Sequence, residues 1–463
     1  MRLIFYGGVG EVTGSNYLLE SGGVKIMIDC GLHQGGHYAE RRNFEPFKYY
    51  PSEIEAVFVT HSHLDHIGLL PKLWKDGFRG RIVSTPAAKD FAELMLLDSE
   101  HILLKEAERE KRPPLYTVYD VEEIMKIWQG VDYHKAVDVG PFRIELYDAG
   151  HILGSSIIKV EVNEAPTPQS KSQPENSGRK TIVFSGDLGN YTSTIIQPTE
   201  KLQAADYCLI ESTYGDRVHE KVDQRREMLE DVVEDTVRAG GTLVIPAFAM
   251  ERTQELLYHL HQLFGEGRVP RVPVFIDSPL AIKLTAVYKK YENYFNKETL
   301  AIARSGDDIL NFPGLRLTLT TEQSKEINDV PPPKIIVAGS GMSHGGRILH
   351  HEIRYLPDSK STILFIGYQA AGSLGREILD GAKSVKIFGE EVPVRCRKIS
   401  IPGYSAHADQ PRLIDWLSPM RKTLKEVFVV QGEEGSSEAL AQKIRDELAI
   451  SAVVPKPEEA VDL

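Results

Sequence analysis

The chain opens with short apolar runs at Arg2–Tyr6, Asn16–Glu20, Val24–Asp29 and Ala56–Thr60, with Gly7-Gly8 and Gly22-Gly23 among them. Their length and their β-branched and aromatic content predict strands joined by tight turns. Helical stretches follow at Ile67–Lys75 and Ala87–Glu110. Strands resume at Phe142–Tyr147 and Ser156–Val162, and Thr181–Asp187 reads as the hairpin partner of the latter. Between those two lies the polar segment 164–180, whose Pro/Ser/Gln composition predicts a loop without packed structure. After about residue 205 the pattern changes. Strands at Asp206–Glu211, Thr242–Pro246, Val274–Asp277, Lys334–Gly339 and Thr362–Gly367 are interleaved with helical stretches at Gln224–Ala239, Arg252–Phe264 and Leu280–Asn296. That interleaving predicts a mainly parallel sheet in a separate α/β unit. From Arg395 the tail reads as a strand, a helix at Gln410–Leu417, a strand at Val427–Val430 and a last helix at Ser436–Leu448.

Composition narrows the setting. With 463 residues, 41% hydrophobic and 26% charged, the chain is long enough for two domains and has globular balance. Its apolar runs are strand-sized, far short of a membrane span. Met1–Tyr6 runs into a glycine turn without an apolar signal region, and Cys30, Cys208 and Cys396 are too far apart for a disulfide framework. Both features point to the cytoplasm, with no membrane partner. The net charge of −12 argues against broad, nonspecific binding of nucleic acid. Carboxylates that hold divalent metals are locally neutralised once loaded, so a polyanion site would be confined to metals and a few arginines.

The strongest chemical signal is His61-Ser62-His63-Leu64-Asp65-His66 at the end of the run VFVT. At a strand end His61 and His63 project to one side, and the turn into a helix swings Asp65 and His66 to a neighbouring position. Two metal ions about 3.5–4 Å apart could share such a loop. Imidazole and carboxylate without thiolate suit zinc first, and manganese or iron less well. Two further ligands stand at strand ends: His151 in Asp148-Ala149-Gly150-His151, and Asp187 in Ser185-Gly186-Asp187, whose carboxylate could bridge two ions.

Asp29 in a DCG turn, HxHxDH, AGH and SGD together resemble the metallo-β-lactamase superfamily. The resemblance implies an αβ/βα sandwich in which His61, His63 and His151 bind one metal, Asp65 and His66 a second, and Asp187 bridges. Asp29 would hold the ligand loops by hydrogen bonds. Further motifs select a branch: Glu211-Ser212-Thr213-Tyr214-Gly215-Asp216, Gly339-Ser340-Gly341-Met342, Gly345-Gly346-Arg347, and Tyr404-Ser405-Ala406-His407-Ala408-Asp409. With the inserted α/β unit, these resemble the β-CASP nucleases, most closely the compact bacterial ribonucleases. The resemblance implies a sandwich domain in two pieces, 1–205 and 395–463, around a β-CASP insert at 206–394. It implies a zinc-dependent ribonuclease using a metal-activated hydroxide, with Asp65, Glu211 and His407 catalytic and His407 as general acid beside Glu211. Gly345, Gly346, Arg347 and Ser405 would bind the phosphates of RNA. Endonucleolytic action is expected, with exonucleolytic action and a homodimer left open.

The sequence departs from the family at one position. After the run VFVV the family places a metal-ligand histidine, and here stands Gln431. An amide is a poorer zinc ligand than imidazole, so a weak or labile second metal is expected. A catalytically weak or silent RNA-processing subunit is therefore the rival reading, with a DNA nuclease behind it. A lactonase- or thioesterase-like hydrolase is opposed by the long insert and by the SAHAD motif, which such enzymes do not need.

Overall fold

A computed structural model of the chain describes residues 1–35, 37–163, 179–190, 194–219, 224–367, 369–370, 372–401, 404 and 406–463. Two compact units divide it. The first comprises Met1–Tyr191, Pro198–Val218 and His407–Leu463, and the second Thr192–Gln197 and His219–Ala406. Among the described residues, no helix is long and apolar enough to cross a membrane.

The first unit is a sandwich of two seven-stranded sheets among the described residues. One sheet runs in the order Ala460–Asp462, Arg2–Gly7, Asn16–Ser21, Val24–Ile28, Ile54–Phe58, Arg81–Ser84, Trp128–Gly130. The other runs Ser451–Val453, Glu426–Val430, Tyr207–Glu211, Arg179–Phe184, Ser156–Asn163, Phe142–Asp148, Val137–Val139. Period-two alternation sorts the side chains. Leu3, Phe5, Ile26, Ile28 and Phe58 of one sheet meet Phe142, Ile144, Ile158, Val160 and Phe184 of the other in one buried cluster. The neighbours Met27 and Val57 point the other way, into a cluster with Leu70, Leu73, Leu96 and Ile124, which come from helices covering that sheet. Val183, Ile210 and Val429 likewise face Leu413, Trp416, Leu440 and Ile444 of the helices Gln410–Leu417 and Glu434–Leu448. Helices thus cover the outside of both sheets, which is the αβ/βα sandwich. Arg179–Phe184 and Ser156–Asn163 form the expected hairpin pair, antiparallel from Arg179 opposite Asn163 to Phe184 opposite Ile158. Most of the polar segment between them, 164–178, lies outside the described residues.

The second unit holds a six-stranded sheet ordered Leu315–Leu317, Val274–Asp277, Lys334–Ala338, Thr242–Pro246, Thr362–Phe365, Arg397–Ser400, parallel at every pairing. Two strands lie elsewhere than the expected borders at 205 and 395 put them. Tyr207–Glu211 pairs in parallel with Arg179–Phe184 and Glu426–Val430, so it belongs to the sandwich rather than opening the insert. Arg397–Ser400 pairs with Thr362–Phe365, so it belongs to the second unit rather than to the tail. The borders move for a physical reason: strand membership follows the hydrogen-bonded neighbour, which a local apolar pattern does not specify.

Candidate metal centre

The histidine motif sits where the strand Ile54–Phe58 ends. Val59 N–H still bonds Val83 O at 2.9 Å, and the chain then leaves the sheet. His63, extended at φ −67 and ψ 147, caps a one-turn helix Leu64–Ile67 that carries Asp65 and His66. A buried carboxylate holds this turn from behind. Asp29, 1% exposed, accepts from Thr60 N–H and Thr60 Oγ1, both at 2.8 Å, and from Ser15 Oγ at 3.3 Å. His66 Nδ1 lies 2.7 Å from its Oδ2, and since a carboxylate only accepts, the ring proton there is on Nδ1. Two glycines let backbones meet. A Cβ on Gly31 would stand 1.6 Å from Asp65 O, and Gly186, at φ +54, packs where a Cβ would meet Thr60.

Four donor atoms converge in front of this turn. His61, His63, His151 and Asp187 each offer one within 4.8 Å of all the others. His61 Nε2 is 3.0 Å from His63 Nδ1, which is 3.2 Å from His151 Nε2. Asp187 Oδ2 is 3.4 Å from His61 Nε2 and 3.5 Å from His151 Nε2. Ligands about 2.0–2.1 Å from a tetrahedral zinc lie about 3.3 Å from one another, close to these separations. Thr60 Oγ1, 3.1 Å from His61 Nδ1, suits a proton on that nitrogen and leaves Nε2 a lone pair facing its neighbours. Burial and then the neighbouring His61 hold His63 well below its usual pKa, and burial and then His407 do the same for His151. Burial alone would raise the Asp187 carboxyl, but His66, His61 and His407 outweigh it and hold it well below the carboxylate range. Neutral imidazoles around an ionised carboxylate are the forms that bind a cation. The residues fit a metal.

Beside this cluster, His66 Nε2 is 3.3 Å from Asp187 Oδ1 and 3.9 Å from Asp65 Oδ2. Gln431, 2% exposed, lies among them: its Nε2 is 3.0 Å from Asp187 Oδ1 and 2.9 Å from His66 Nε2. Of the expected second group, His66 thus stands close to Asp187 with an amide between them, and Asp65 lies farther off.

On the other side of Asp187, His407 Nδ1 is 3.2 and 3.3 Å from the two oxygens of Glu211 and 3.8 Å from Asp187 Oδ2. Glu211 is 0% exposed and also accepts from Leu188 N–H at 2.6 Å. His407 is placed by a bridge to Gly189 and by the following Ala408 N–H bonding Leu188 O at 2.8 Å. Its ring lies 4.6 Å from that of His151 and 5.9 Å from that of Tyr214. Sequence reasoning did not single out Thr60 or Ser15, which carry no motif of their own.

The expected phosphate-binding residues stand in the second unit and are engaged there. Arg347 Nη1 donates to Asp277 Oδ1 at 2.7 Å and to Thr318 O at 2.9 Å, and Nη2 to Leu319 O at 3.0 Å. Gly345 O accepts from Ser340 N–H at 3.1 Å, and Ile348 N–H bonds Gly339 O at 3.0 Å. Gly346, at φ +78, lies where a Cβ would be 2.5 Å from Gly339 O. The loop's polar groups close the loop on itself. Ser405 lies outside the described residues.

Comparison with known proteins agrees with this architecture. Residues 9–199 match the metallo-β-lactamase superfamily, 253–378 the β-CASP domain, and 391–455 the Zn-dependent metallo-hydrolase RNA specificity domain. Ribonuclease TTHA0252 of Thermus thermophilus is 38% identical over 444 residues, covering 96% of this chain and 95% of that protein. The transcription termination factor FttA of Methanosarcina mazei is 30% identical over 465 residues, covering 97% of this chain and 70% of that protein. A crystal structure of a protein of unknown function from Enterococcus faecalis shares the fold, with a TM-score of 0.56 at 11% identity, covering 100% of this chain and 99% of that one. The chain belongs to the β-CASP family of the metallo-β-lactamase superfamily.

Proposed function

We propose that the chain is a zinc-dependent ribonuclease that hydrolyses RNA phosphodiester bonds. The observation that carries this is the shared Asp187, which faces three imidazoles on one side and the Glu211–His407 pair on the other. His61, His63, His151 and Asp187 would hold the metal, and an all-imidazole and carboxylate set suits zinc. When bound, such a cation supplies Lewis acidity, activating water at neutral pH and offsetting charge on phosphoryl oxygens. The chain itself supplies the proton. Glu211, buried beside His407, stabilises an imidazolium, and that ring is our candidate to protonate the departing 3′ oxygen. Asp187 and Thr60 orient the histidines around it. RNA as substrate is supported by the 38% identical ribonuclease and by the match of 391–455 to an RNA specificity domain.

The test is incubation of labelled RNA with the zinc-loaded protein, His407→Ala and Asp187→Ala. Cleavage by the natural protein is expected. His407→Ala should lower the rate about 10²–10⁴-fold, the range for a lost general acid, at unchanged metal content. Equal rates for natural protein and His407→Ala would refute the role of that ring. A circular RNA, which has no ends, separates the internal cutting we propose from trimming, and a DNA of the same sequence tests the sugar preference.

A further inference from the structure

We propose that the Gln431 amide occupies the place of a second cation in this centre, so that the protein binds one divalent metal per chain. The inference rests on the metal-dependent reading above and specifies its stoichiometry.

The backbone fixes the amide. Gln431 follows the strand Glu426–Val430 at φ +50, its N–H bonds Gly8 O at 2.7 Å, and its C=O accepts from Ser212 N–H at 3.3 Å and Thr213 Oγ1 at 3.2 Å. Its Nε2 therefore stands between Asp187 Oδ1 at 3.0 Å and His66 Nε2 at 2.9 Å. The orientation follows from the partners. The other amide atom, an oxygen, would face a carboxylate oxygen at that distance, whereas an NH₂ has a proton for each neighbour. His66 Nδ1 faces Asp29 Oδ2 at 2.7 Å and its Nε2 faces the amide NH₂ at 2.9 Å, so the packing places a ring proton on Nδ1 and a lone pair on Nε2. The electron pairs of His66 Nε2 and Asp187 Oδ1 are thus both taken by one partially positive NH₂.

The neighbouring cluster differs in kind. Between His61 Nε2, His63 Nδ1 and His151 Nε2 nitrogen faces nitrogen at 3.0 and 3.2 Å, and among the described residues no amide bridges them. The His66 group, by contrast, already holds an NH₂ against two of its acceptor atoms. A cation entering beside His66 would have to expel a buried amide and leave its NH₂ without either acceptor. Imidazole at this position would instead offer a lone pair, and histidine tolerates positive φ better than most side chains.

The experiment strips the protein with a chelator, reloads it with excess zinc, removes unbound metal by gel filtration and measures zinc per chain by mass spectrometry. One zinc per chain is expected for the natural protein and two for Gln431→His. Reloading with manganese should give the paramagnetic resonance of an isolated ion in the natural protein and of a coupled pair in Gln431→His. Asp65→Ala, made without touching Gln431, should still hold one. Two zinc ions in the natural protein, or a loss of zinc in Asp65→Ala, would overturn the inference while leaving the metal-dependent reading intact. A Gln431→His protein with natural circular dichroism that still holds a single zinc would overturn it too. A natural protein that takes up no divalent metal would defeat both.

Discussion

Replacing Asp29 by asparagine changes one atom behind the metal loop and asks how much of the loop that atom holds. The carboxylate takes four hydrogen bonds, from Thr60 N–H, Thr60 Oγ1, Ser15 Oγ and His66 Nδ1. Asparagine keeps one oxygen, which can stay on Thr60 N–H, and turns an NH₂ towards the other three. The two hydroxyls can rotate and accept. His66 cannot, unless its proton moves to Nε2, where the Gln431 amide nitrogen lies 2.9 Å away. One charge-assisted bond is lost, about 1.5–3 kcal/mol, and one buried donor goes unpaired, about 1–3 kcal/mol. The expected destabilisation of the metal-free protein is about 3 kcal/mol, the lower part of that combined range. Urea unfolding followed by tryptophan fluorescence measures it in the right place: Trp74, Trp128 and Trp416, the chain's three tryptophans, all lie in the first unit. That matters because two units need not unfold as one. Zinc affinity should fall by about 10–100-fold, the range for lost support behind ligands. A stability loss below about 1 kcal/mol would show that the network does not hold the loop, contrary to the cost of stranding a buried donor. A stability loss with unchanged zinc affinity would reduce Asp29 to a folding residue.

Two predictions concern the second unit. Glu352 is 0% exposed, accepts from Ser343 Oγ at 2.5 Å and has an Oε2 without a partner among the described residues. Burial, only partly offset by that bond, raises its carboxyl to about 8. Between about pH 4.5 and 8 the unfolded chain sheds this proton and the folded one keeps it, so stability falls with rising pH by up to about 1.4 kcal/mol per unit. Below that window both states are protonated, and above it both are ionised. Glu352→Gln should flatten this slope in urea unfolding followed by circular dichroism across the window, and an unchanged slope counts against the assignment. Arg347→Ala removes one of four partners of the buried Asp277, the others being Thr318, Ser324 and His351. It should destabilise the second unit by about 2–4 kcal/mol, near the cost of breaking a buried pair, and leave the salt dependence of RNA binding unchanged. A salt slope reduced by about one would restore Arg347 as a phosphate contact.

Much of the centre was legible in the chain because the side chains that converge there are local events at strand ends. His61, His63 and His66 declare themselves by spacing, and His151 and Asp187 by short turns after apolar runs. The helix at Pro86–Glu110 was equally legible, with Thr85 accepting from Ala88 N–H at 3.2 Å to cap it. What was not legible is long-range pairing. Tyr207–Glu211 reads like any buried parallel strand, and its neighbour Glu426–Val430 lies in the distant tail. The strand Arg81–Ser84 and the edge strand Trp128–Gly130 are too short to stand out of their surroundings. The partners of Arg347 were hidden for a related reason. A glycine-rich loop entering a helix offers phosphate donors in the abstract, but whether they are already used depends on Asp277, Thr318 and Leu319, which the motif does not contain.

Chain connectivity links the proposed proton donor, His407, to the insert. Glu211 ends the strand before the chain leaves the first unit at Val218, and His407 is the residue at which it returns. The two meet although 196 positions separate them. Everything between Val218 and His407 is therefore a loop whose closure forms the pair. An unfolded loop of that length would spend its entropy pulling His407 away from Leu188, Gly189 and Glu211. A folded second unit removes most of that cost by restricting where its two ends can lie. On the proposed function, the insert must therefore be folded to hold His407 in register with Glu211, whatever else it does. Loosening the second unit, as Arg347→Ala does, should then lower the cleavage rate while the zinc content of the His61, His63, His151 and Asp187 cluster stays constant. Zinc lost in step with the rate would mean that the centre and the insert fold as one, and that this separation of roles is wrong.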